Sequence, residues 1–361
     1  MSDKQKATVS LTLVEQTCSA AFTALKHPSP PSPPLPLQSL HTDLLALLAL
    51  ISSDSTKITL ALNPSDPSFK AALPSLRDLA SRVSTLASNA SSFDPSVHGR
   101  TLTSEVHTLA KDLLVAIQEL SRAHLAEIAS AKKTKSKGKG KGEEYMIKTA
   151  TVHELVDRAR GTGPDSLSPS NRAAVLKIWV EQGEIMADAI SELEEDDGSG
   201  SEVEDDDDEW EDPEFDFGGG KATSPAQKEI KKQIHTLVSR VSSVFEQIGT
   251  SLLSSPTHTP SITLLDTLLD AASPLINAVD DFVACIYDGP ESLVARRAGV
   301  ITALQTICSA VEVYGEALVR EDAKSSLDGS HEGSREWFVE QFSSLVDSVH
   351  AVEWPDATNT K

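Results

Sequence analysis

The sequence predicts an all-α protein in which two antiparallel helical bundles are joined by a disordered acidic linker. Apolar residues recur at spacings of three and four through nearly every segment, whereas alternating runs bounded by turn residues are almost absent. Proline and glycine are concentrated at a few places, which indicates long regular elements separated by sharp breaks. With 361 residues, the chain is long enough for two domains that each bury a core.

The predicted domain boundaries follow two polar stretches. Residues 1–195 are predicted to form the N-terminal bundle, with a disordered Lys/Gly excursion at 131–144. Residues 196–221 form the acidic linker, and residues 222–355 form the C-terminal bundle. Neither polar stretch holds enough apolar surface to offset an ordering cost of about 1–2 kcal/mol per residue, so both are predicted to be disordered.

Ten helices are predicted along the chain. The first ends at the proline cluster HPSPPSPPLP, because proline lacks an amide donor and clashes with the preceding turn. Residues 55–63, STKITLALN, are rich in β-branched side chains, and we assign them to the second helix. Pro274 is predicted to kink the eighth helix near Ala271. The predicted helices are 5–26, 37–62, 68–91, 97–130, 146–160, 169–195, 225–254, 261–287, 291–322 and 334–352.

The predicted helix 169–195 has one apolar and one acidic face. Ser168 is a candidate N-cap, with Ser170 as the alternative. Carboxylates that act as acid and base need burial to separate their pKa values, so an acidic row on the outer face indicates solvation instead of catalysis. The apolar stripe comprises Val175, Ile178, Gln182, Ile185, Met186, Ala189, Ile190 and Leu193. The acidic row comprises Glu181, Glu184, Asp188, Glu192 and Glu195.

No motif in the sequence indicates catalysis, a cofactor or a metal. A di-metal helical bundle needs Glu-x-x-His pairs, and none occurs. A serine nucleophile elbow is also missing, and GKGKG at 138–142 lacks the spacing of a phosphate-binding loop. Cys18, Cys285 and Cys308 lie in apolar helical pattern, where core packing is the default role. We therefore predict a non-enzymatic protein without catalytic, cofactor-binding or metal-binding residues.

Charge and hydropathy limit the partners and the compartment. The formal net charge is −22, and residues 192–216 hold sixteen Asp or Glu and no Lys or Arg. This charge opposes nonspecific nucleic-acid binding, so no direct nucleic-acid partner is predicted. The most apolar run, Leu44–Ile51, is shorter than the roughly 20 residues of a membrane span, so no membrane association is predicted. Scattered cysteines and an N-terminus without an apolar signal core predict an intracellular protein.

Lys132, Lys133 and Lys135 lie in the sequence KKTK, which fits a minimal nuclear-import signal. A solvated linker is the alternative. Import would place the protein in both cytoplasm and nucleus.

Two groups of residues are candidates for partner binding. Trp210, Phe215 and Phe217 alternate with carboxylates in the acidic linker, a composition typical of segments that dock on basic or hydrophobic partners. The alternative is a solubilising linker. Asp280 and Asp281 follow the predicted kink by about two turns and form a second candidate contact site, with helix capping or solvation as the alternative.

Two segments carry more than helical periodicity: VHELVDRARGTGPDSLSPSNRAAVLKIWVEQGEIMADAISELEE and ASPLINAVDDFVACIYDGP. Both resemble segments of the cyclin-D-binding protein family (GCIP-like). His153 and Val156 depart from the family pattern, where a tryptophan and a cysteine are expected. The matching positions are Val152, Pro169, Asn171, Ala173, Ala174, Asp188 and Ala189 in the first segment, and Ser273, Pro274, Val279, Asp280, Asp281, Ile286, Tyr287 and Pro290 in the second.

This resemblance implies an all-helical, non-enzymatic regulator of cell-cycle progression or transcription that binds cyclin or helix-loop-helix partners. Gly138, Gly140 and Gly142 interrupt the lysines, and each costs about 1 kcal/mol of helix relative to alanine, so a DNA-reading basic helix is not expected there. A pairing of this kind would then remove a helix-loop-helix factor from DNA. The alternative function is a cytoskeletal helical-bundle scaffold with talin- or vinculin-like architecture, since amphipathic helices broken by prolines suit both.

Overall fold

The computed structural model describes residues 1–130, 144–195, 225–254, 261–325 and 330–354. Within these ranges every regular element is a helix, which confirms the predicted all-α class. The α-helices are α1 (Asp3–Ala24), α2 (Leu37–Ala61), α3 (Phe69–Ser91), α4 (Pro95–His98), α5 (Arg100–Ser130), α6 (Glu144–Arg160), α7 (Asn171–Glu195), α8 (Pro225–Ile248), α9 (Ile262–Asp288), α10 (Pro290–Ser325) and α11 (Ser330–Ala351), and a π turn, Gly249–Leu253, follows α8.

The chain divides into two compact units, Met1–Ala174 and Val175–Lys361. This division lies in the first turn of α7, whereas the sequence analysis placed the whole of that helix in the N-terminal bundle. The difference has a packing cause, because Val175, Trp179 and Met186 belong to the core of the second unit. The predicted linker 196–221 lies outside the described residues, and the description of the units as two antiparallel bundles stays a prediction.

The first unit is built around the apolar faces of α1, α2, α3, α5 and α6. A capping box starts α1: the Ser2 hydroxyl accepts from the Gln5 amide, and the Gln5 side chain accepts from the Ser2 amide. Residues 55–61 are helical, as predicted, and Ile58 packs in the core. The core is aliphatic apart from Phe93 and Cys18, and its single aromatic residue agrees with the low aromatic content of the chain.

One predicted helix, 97–130, is two helices in the structure. Gly99 separates α4 from α5 and has a φ of +95°, a left-handed conformation that favours glycine. Asp94 caps α4 by accepting from the Ser96 amide at 2.9 Å, and Pro95 occupies the first helical position.

The core of the second unit is organised around a tryptophan. The indole of Trp179 on α7 stacks on the ring of Phe245 on α8, with 4.1 Å between centroids and 9° between planes. Its Nε1–H donates to the Phe245 carbonyl oxygen at 3.0 Å. A Cβ at Gly249 would lie 3.1 Å from the Cδ1 of Trp179, so the π turn begins at a residue small enough to admit the indole.

Helix α9 continues through Pro274 from Ile262 to Asp288, so this proline bends the helix at most and does not end it. The predicted kink near Ala271 stays a prediction.

Among the described residues, three helices are long and apolar enough to cross a membrane by length and composition: Leu37–Ala61, Ile262–Asp288 and Pro290–Ala317. The apolar run Leu44–Ile51 is only part of the first of these helices, which has 25 residues. Between 39% and 50% of the apolar stretch in each helix is buried inside the protein. Packing therefore uses much of this apolar surface, and the absence of membrane association stays a prediction.

Candidate partner-binding site

The loop before α7 is fixed to the start of α5 by a buried asparagine. Asn171, one of the positions that carry the family resemblance, is 4% exposed. Its Oδ1 accepts from the Leu102 amide at 3.0 Å, and this amide belongs to the first turn of α5, which has no partner within its own helix. The Asn171 side chain occupies the space beside Gly99, where an added Cβ would lie 1.9 Å from the Asn171 Cγ. Asn171 therefore acts as a structural clasp.

The start of α7 decides between the two predicted caps. The Ser170 hydroxyl accepts from the Ala173 amide at 3.3 Å, which is the contact of an N-cap. Ser168 is buried instead, and its amide donates to the Glu105 carboxylate at 3.3 Å. The alternative cap, Ser170, is therefore the one that the structure uses.

A histidine fixes the loop between α1 and α2 to α4. The Nδ1 of His98 accepts from the Asp94 amide at 2.8 Å, so Nε2 carries the proton and donates to the Leu35 carbonyl oxygen at 2.9 Å. Hydrogen bonds from the Ser96 hydroxyl and amide lower the pKa of the Asp94 carboxyl. These contacts are structural.

His153, which departs from the family pattern, joins α6 to α2. Its Nδ1 lies 2.7 Å from the Ser52 hydroxyl, and its Nε2 lies 2.9 Å from the Thr56 hydroxyl. The hydroxyls of Thr59 on α2 and Thr149 on α6 form a further hydrogen bond of 2.7 Å between the same two helices. A catalytic triad would need a carboxylate on the second imidazole nitrogen, and a threonine occupies that place. These polar contacts between α2 and α6 therefore hold the two helices together and do not form a catalytic site.

His124 is a buried group that the sequence analysis missed. It is 1% exposed on α5, and neither ring nitrogen has a hydrogen-bond partner. Its ring centroid lies 5.3 Å from that of Tyr145 at the start of α6. Burial lowers the pKa of His124 to about 4, which keeps the imidazole neutral at physiological pH. The apolar spacing along α5 gave no signal for it, because histidine occurs on both faces of helices.

The acidic row on α7 lies in solvent. Glu181, Glu184, Asp188 and Glu192 are exposed, as a solvated face requires, and the side chain of Glu195 lies outside the described residues. The apolar stripe is partly wrong, since Ile185 is 54% exposed.

The apolar stripe also omitted Trp179, which is 2% exposed and central to the core. The buried face of α7 is set by the position of α8, because the indole stacks on Phe245 of that helix.

The cysteines lie where nucleophilic chemistry is suppressed. Burial raises the pKa of Cys18 to about 12 and the pKa values of Cys285 and Cys308 to about 11. The reactive thiolate is therefore scarce at neutral pH. In the part of the chain that the structure describes, no three His, Cys, Asp or Glu side chains are grouped to hold a metal ion.

The predicted pair Asp280 and Asp281 lies on the exposed surface of α9. Arg296 of α10 donates to the Asp281 carbonyl oxygen and to the Asp288 carboxylate, which fixes the end of α9 against α10. Tyr287, seven residues after Asp280 and therefore on the same helical face, is 68% exposed. Asp280 and Tyr287 therefore share one exposed face of α9, about 10 Å apart along the helix, and we call Asp280, Asp281 and Tyr287 the α9 surface.

The other predicted site residues are outside the description. Trp210, Phe215 and Phe217 of the acidic linker, and Lys132, Lys133 and Lys135 of the possible import signal, all lie outside the described residues. Their predicted roles stay predictions.

Comparison with known proteins supports the resemblance in the sequence. Residues 43–197 match the family model described as the N-terminal region of Grap2 and cyclin-D-interacting proteins. Comparisons with curated proteins and with solved structures give no match. The matched range includes the Asn171 clasp and ends before the α9 surface, so the resemblance of the second segment stays a prediction. Over residues 43–197, from α2 through α7, the chain is therefore similar to the N-terminal region of the GCIP-like family.

Proposed function

We propose that this protein is a non-enzymatic regulatory adaptor that binds a D-type cyclin or a helix-loop-helix protein and so modulates cell-cycle progression or transcription. The observation that carries the proposal is the match of residues 43–197 to a family described as cyclin-D-interacting. The cyclin is the first partner to test, because the family description names it.

Partner binding through the apolar face of α7 would be costly. That face holds Trp179, which stacks on Phe245 and donates to its carbonyl oxygen. A partner helix could take this face only after the core of the second unit had opened. We therefore assign binding to surfaces that are exposed in the folded protein. Amide hydrogen exchange in residues 171–195 tests this point. A partner that takes the apolar face of α7 would lower the protection of these amides, whereas a partner that binds an exposed surface would not.

The α9 surface suits the role of a contact site. Tyrosine is enriched at the centres of protein interfaces because it combines a large apolar ring with a polar hydroxyl at a low cost in conformational entropy. Tyr287 is exposed beside carboxylates that can set the orientation of a partner through charge. We propose that Asp280, Asp281 and Tyr287 contact the partner together.

Titration of the purified full-length chain with a purified D-type cyclin tests the function and the site separately. Tyr287→Ala, and the double variant Asp280→Ala with Asp281→Ala, are each expected to weaken binding at least tenfold. Thr263→Ala is the control, because Thr263 is exposed on the same helix more than four turns before Asp280.

The results distinguish a wrong binding site from a wrong function. Binding that is unchanged by the α9 variants would reject the site and keep the function. A chain that binds neither a D-type cyclin nor a helix-loop-helix protein would reject the adaptor function. Co-sedimentation with actin filaments in that case would favour the scaffold alternative.

We also propose that the protein is present in both cytoplasm and nucleus, with Lys132, Lys133 and Lys135 as the import signal. A fluorescent fusion of the full chain, with these three lysines changed to alanine, should lose its nuclear fraction. The same nuclear fraction in both versions would reject the lysines as an import signal.

A further inference from the structure

A groove of about 320 Å³ lies between α8 and α11 in the second unit. It is open to solvent, and its volume is in the range of small binding pockets. Its apolar surface comes from the exposed Ala351 and from the edges of Leu237 and Val352, which are 3% and 4% exposed. The lining residues are Glu229, Lys232, Gln233, Thr236, Leu237, Arg240, Ser348, Ala351 and Val352.

Two cations on α8 face this groove. Lys232, Thr236 and Arg240 are four residues apart and therefore share one face of the helix. The Arg240 guanidinium is held in place by α11, because it donates to the Ser348 hydroxyl at 2.6 Å and to the Ser344 hydroxyl at 2.9 Å. Glu229 is the one acid among the lining residues, and its carboxylate accepts from Gln233 at 3.2 Å. The lining residues thus carry one more positive than negative side chain on a chain of net charge −22, and this local excess favours an acidic ligand.

The far end of the groove is fixed by hydrogen bonds. Arg297 of α10 donates to the Val352 carbonyl oxygen, and the Glu353 amide donates to the Gln233 side-chain oxygen at 3.3 Å. These bonds hold the residues after α11 against α8, so the groove is present before any ligand arrives.

The spacing of the cations selects the ligand. Lys232 and Arg240 are eight positions apart, and at 1.5 Å per residue their Cα atoms lie about 12 Å apart along the helix. A single phosphate needs cations that converge on it, whereas two carboxylates four residues apart on an extended peptide are separated by about 13 Å. In an extended peptide the side chain of the residue midway between the two carboxylates lies on the same face as they do, and here that face is turned towards Leu237. The groove therefore suits the pattern acid, any residue, apolar residue, any residue, acid.

The chain itself contains this pattern at Asp208–Asp212, DEWED, with Trp210 at the centre. We propose that the groove between α8 and α11 binds Asp208–Asp212 of the same chain. In this arrangement Trp210 lies over Leu237, and the two aspartates pair with Lys232 and Arg240. These five residues of the ligand lie outside the described residues.

The chain connects the ligand to the groove at both ends. The residues before the ligand leave α7 beside α8, since the Glu194 carboxylate lies 3.1 Å from the His235 Nε2. The residues after the ligand lead to Pro225, the first residue of α8. From Pro225 to Thr236 the helix rises about 16 Å, and the twelve residues 213–224 can span about 40 Å. Binding within the chain is thus sterically allowed and has the high effective concentration of a tethered ligand.

The test uses a fluorescein-labelled peptide with the sequence of residues 205–215 and measures its anisotropy with the full-length protein. In the unaltered chain the internal segment competes with the peptide. Trp210→Ala removes this competition and should strengthen peptide binding at least tenfold. Adding Lys232→Ala or Arg240→Ala to the Trp210→Ala chain should weaken peptide binding at least fivefold, since each removes one carboxylate contact.

The controls separate charge, folding and ligand type. Lys70→Ala removes an exposed lysine of the first unit and should leave peptide binding unchanged. Lys232 is exposed, so its variant reports on the groove even if Arg240→Ala disturbs the contact with α11. The proposal is rejected if the peptide does not bind the Trp210→Ala chain, or if it binds the unaltered chain equally well. Peptide binding that survives the loss of both cations, or a preference for a singly phosphorylated peptide without the two aspartates, also rejects it.

Discussion

Gly99 and Asn171 occupy neighbouring space in the first unit, so that a Cβ on Gly99 would lie 1.9 Å from the Cγ of Asn171. Gly99 is therefore required for two reasons, its φ of +95° and the asparagine beside it. Gly99→Ala should lower the free energy of unfolding by about 3 kcal/mol, because it combines backbone strain with loss of the asparagine cap on α5. Urea denaturation followed by circular dichroism measures this change.

Gly163→Ala is the control for that variant, because Gly163 has open space around it. It should change the free energy of unfolding by less than about 0.5 kcal/mol. Equal stability of the Gly99→Ala and Gly163→Ala chains would contradict the clasp.

The buried imidazole of His124 makes stability depend on pH. Its pKa is about 4 in the folded protein, below the ordinary value of 6.5, so the unfolded chain binds more protons between these values. The free energy of unfolding therefore falls as pH falls from about 6.5 to about 4, by up to about 3 kcal/mol from this group. His124→Phe removes this loss and leaves no unpaired ring nitrogens, so it should be more stable, with the largest gain near pH 4.

Thermal or urea unfolding of both chains at pH 7 and pH 4.5 checks this prediction, since the difference between them cancels the titration of other groups. His350→Phe, at an exposed histidine of α11, is the control. A stability difference between the His124→Phe and unaltered chains that is the same at both pH values would rule out the titration of His124 as the cause.

A buried ion pair joins α2 to α3. The Asp54 carboxylate is 2% exposed and lies 2.7 Å from the Arg82 Nε, with Lys57 at 3.6 Å. Burial raises the pKa of Asp54, and the charge of Arg82 opposes this rise. Arg82→Met leaves the carboxylate with only the exposed lysine and should cost about 3 kcal/mol. The double variant Arg82→Met with Asp54→Leu should cost less than Arg82→Met alone, because no buried charge remains.

The exposed pair Lys6 and Asp3 is the comparison for this cycle, since both side chains are about half exposed. Lys6→Met should cost no more than about 0.5 kcal/mol. If the double variant at Asp54 and Arg82 were less stable than Arg82→Met, the ion pair would not be the source of the loss.

Trp179→Phe tests the centre of the second core. The phenyl ring can keep the stack on Phe245 but loses the hydrogen bond to its carbonyl oxygen and leaves space beside Gly249. The expected cost is about 2 kcal/mol in the free energy of unfolding. Trp337→Phe is the control because Trp337 is 39% exposed. A loss at Trp337 as large as the loss at Trp179 would contradict this assignment of the core.

Periodicity in the sequence predicted the helices well because each must bury a stripe of apolar side chains. It failed where residues distant in the sequence determine which side chain is buried or where a helix ends. On α7 the adjacent residues Ile178 and Trp179 both suit a stripe, and the position of Phe245 selects the tryptophan. The break at Gly99 also escaped prediction, because its cause, Asn171, is 72 residues away in the chain.

The candidate site was predictable only in part. Asp280 and Asp281 follow from the sequence as exposed acids, but the groove between α8 and α11 needs two helices more than 100 residues apart, as the bond from Arg240 to Ser348 shows. No periodicity within one helix reports on such a pair. The acidic pattern around Trp210 is visible in the sequence, but it can be recognised as a ligand for the groove only when the spacing of Lys232 and Arg240 is known.

The π turn at Gly249–Leu253 amounts to a one-residue insertion, since its hydrogen bonds run from residue i to i+5 instead of i+4. Leu252 and Leu253 are both buried, although successive α-helical residues point about 100° apart. The Tyr314 hydroxyl donates to the Leu252 carbonyl oxygen at 3.2 Å and so secures the widened turn from α10. Deletion of one residue from this turn would restore an ordinary helix there and would rotate Leu252 and Leu253 away from their places in the second core.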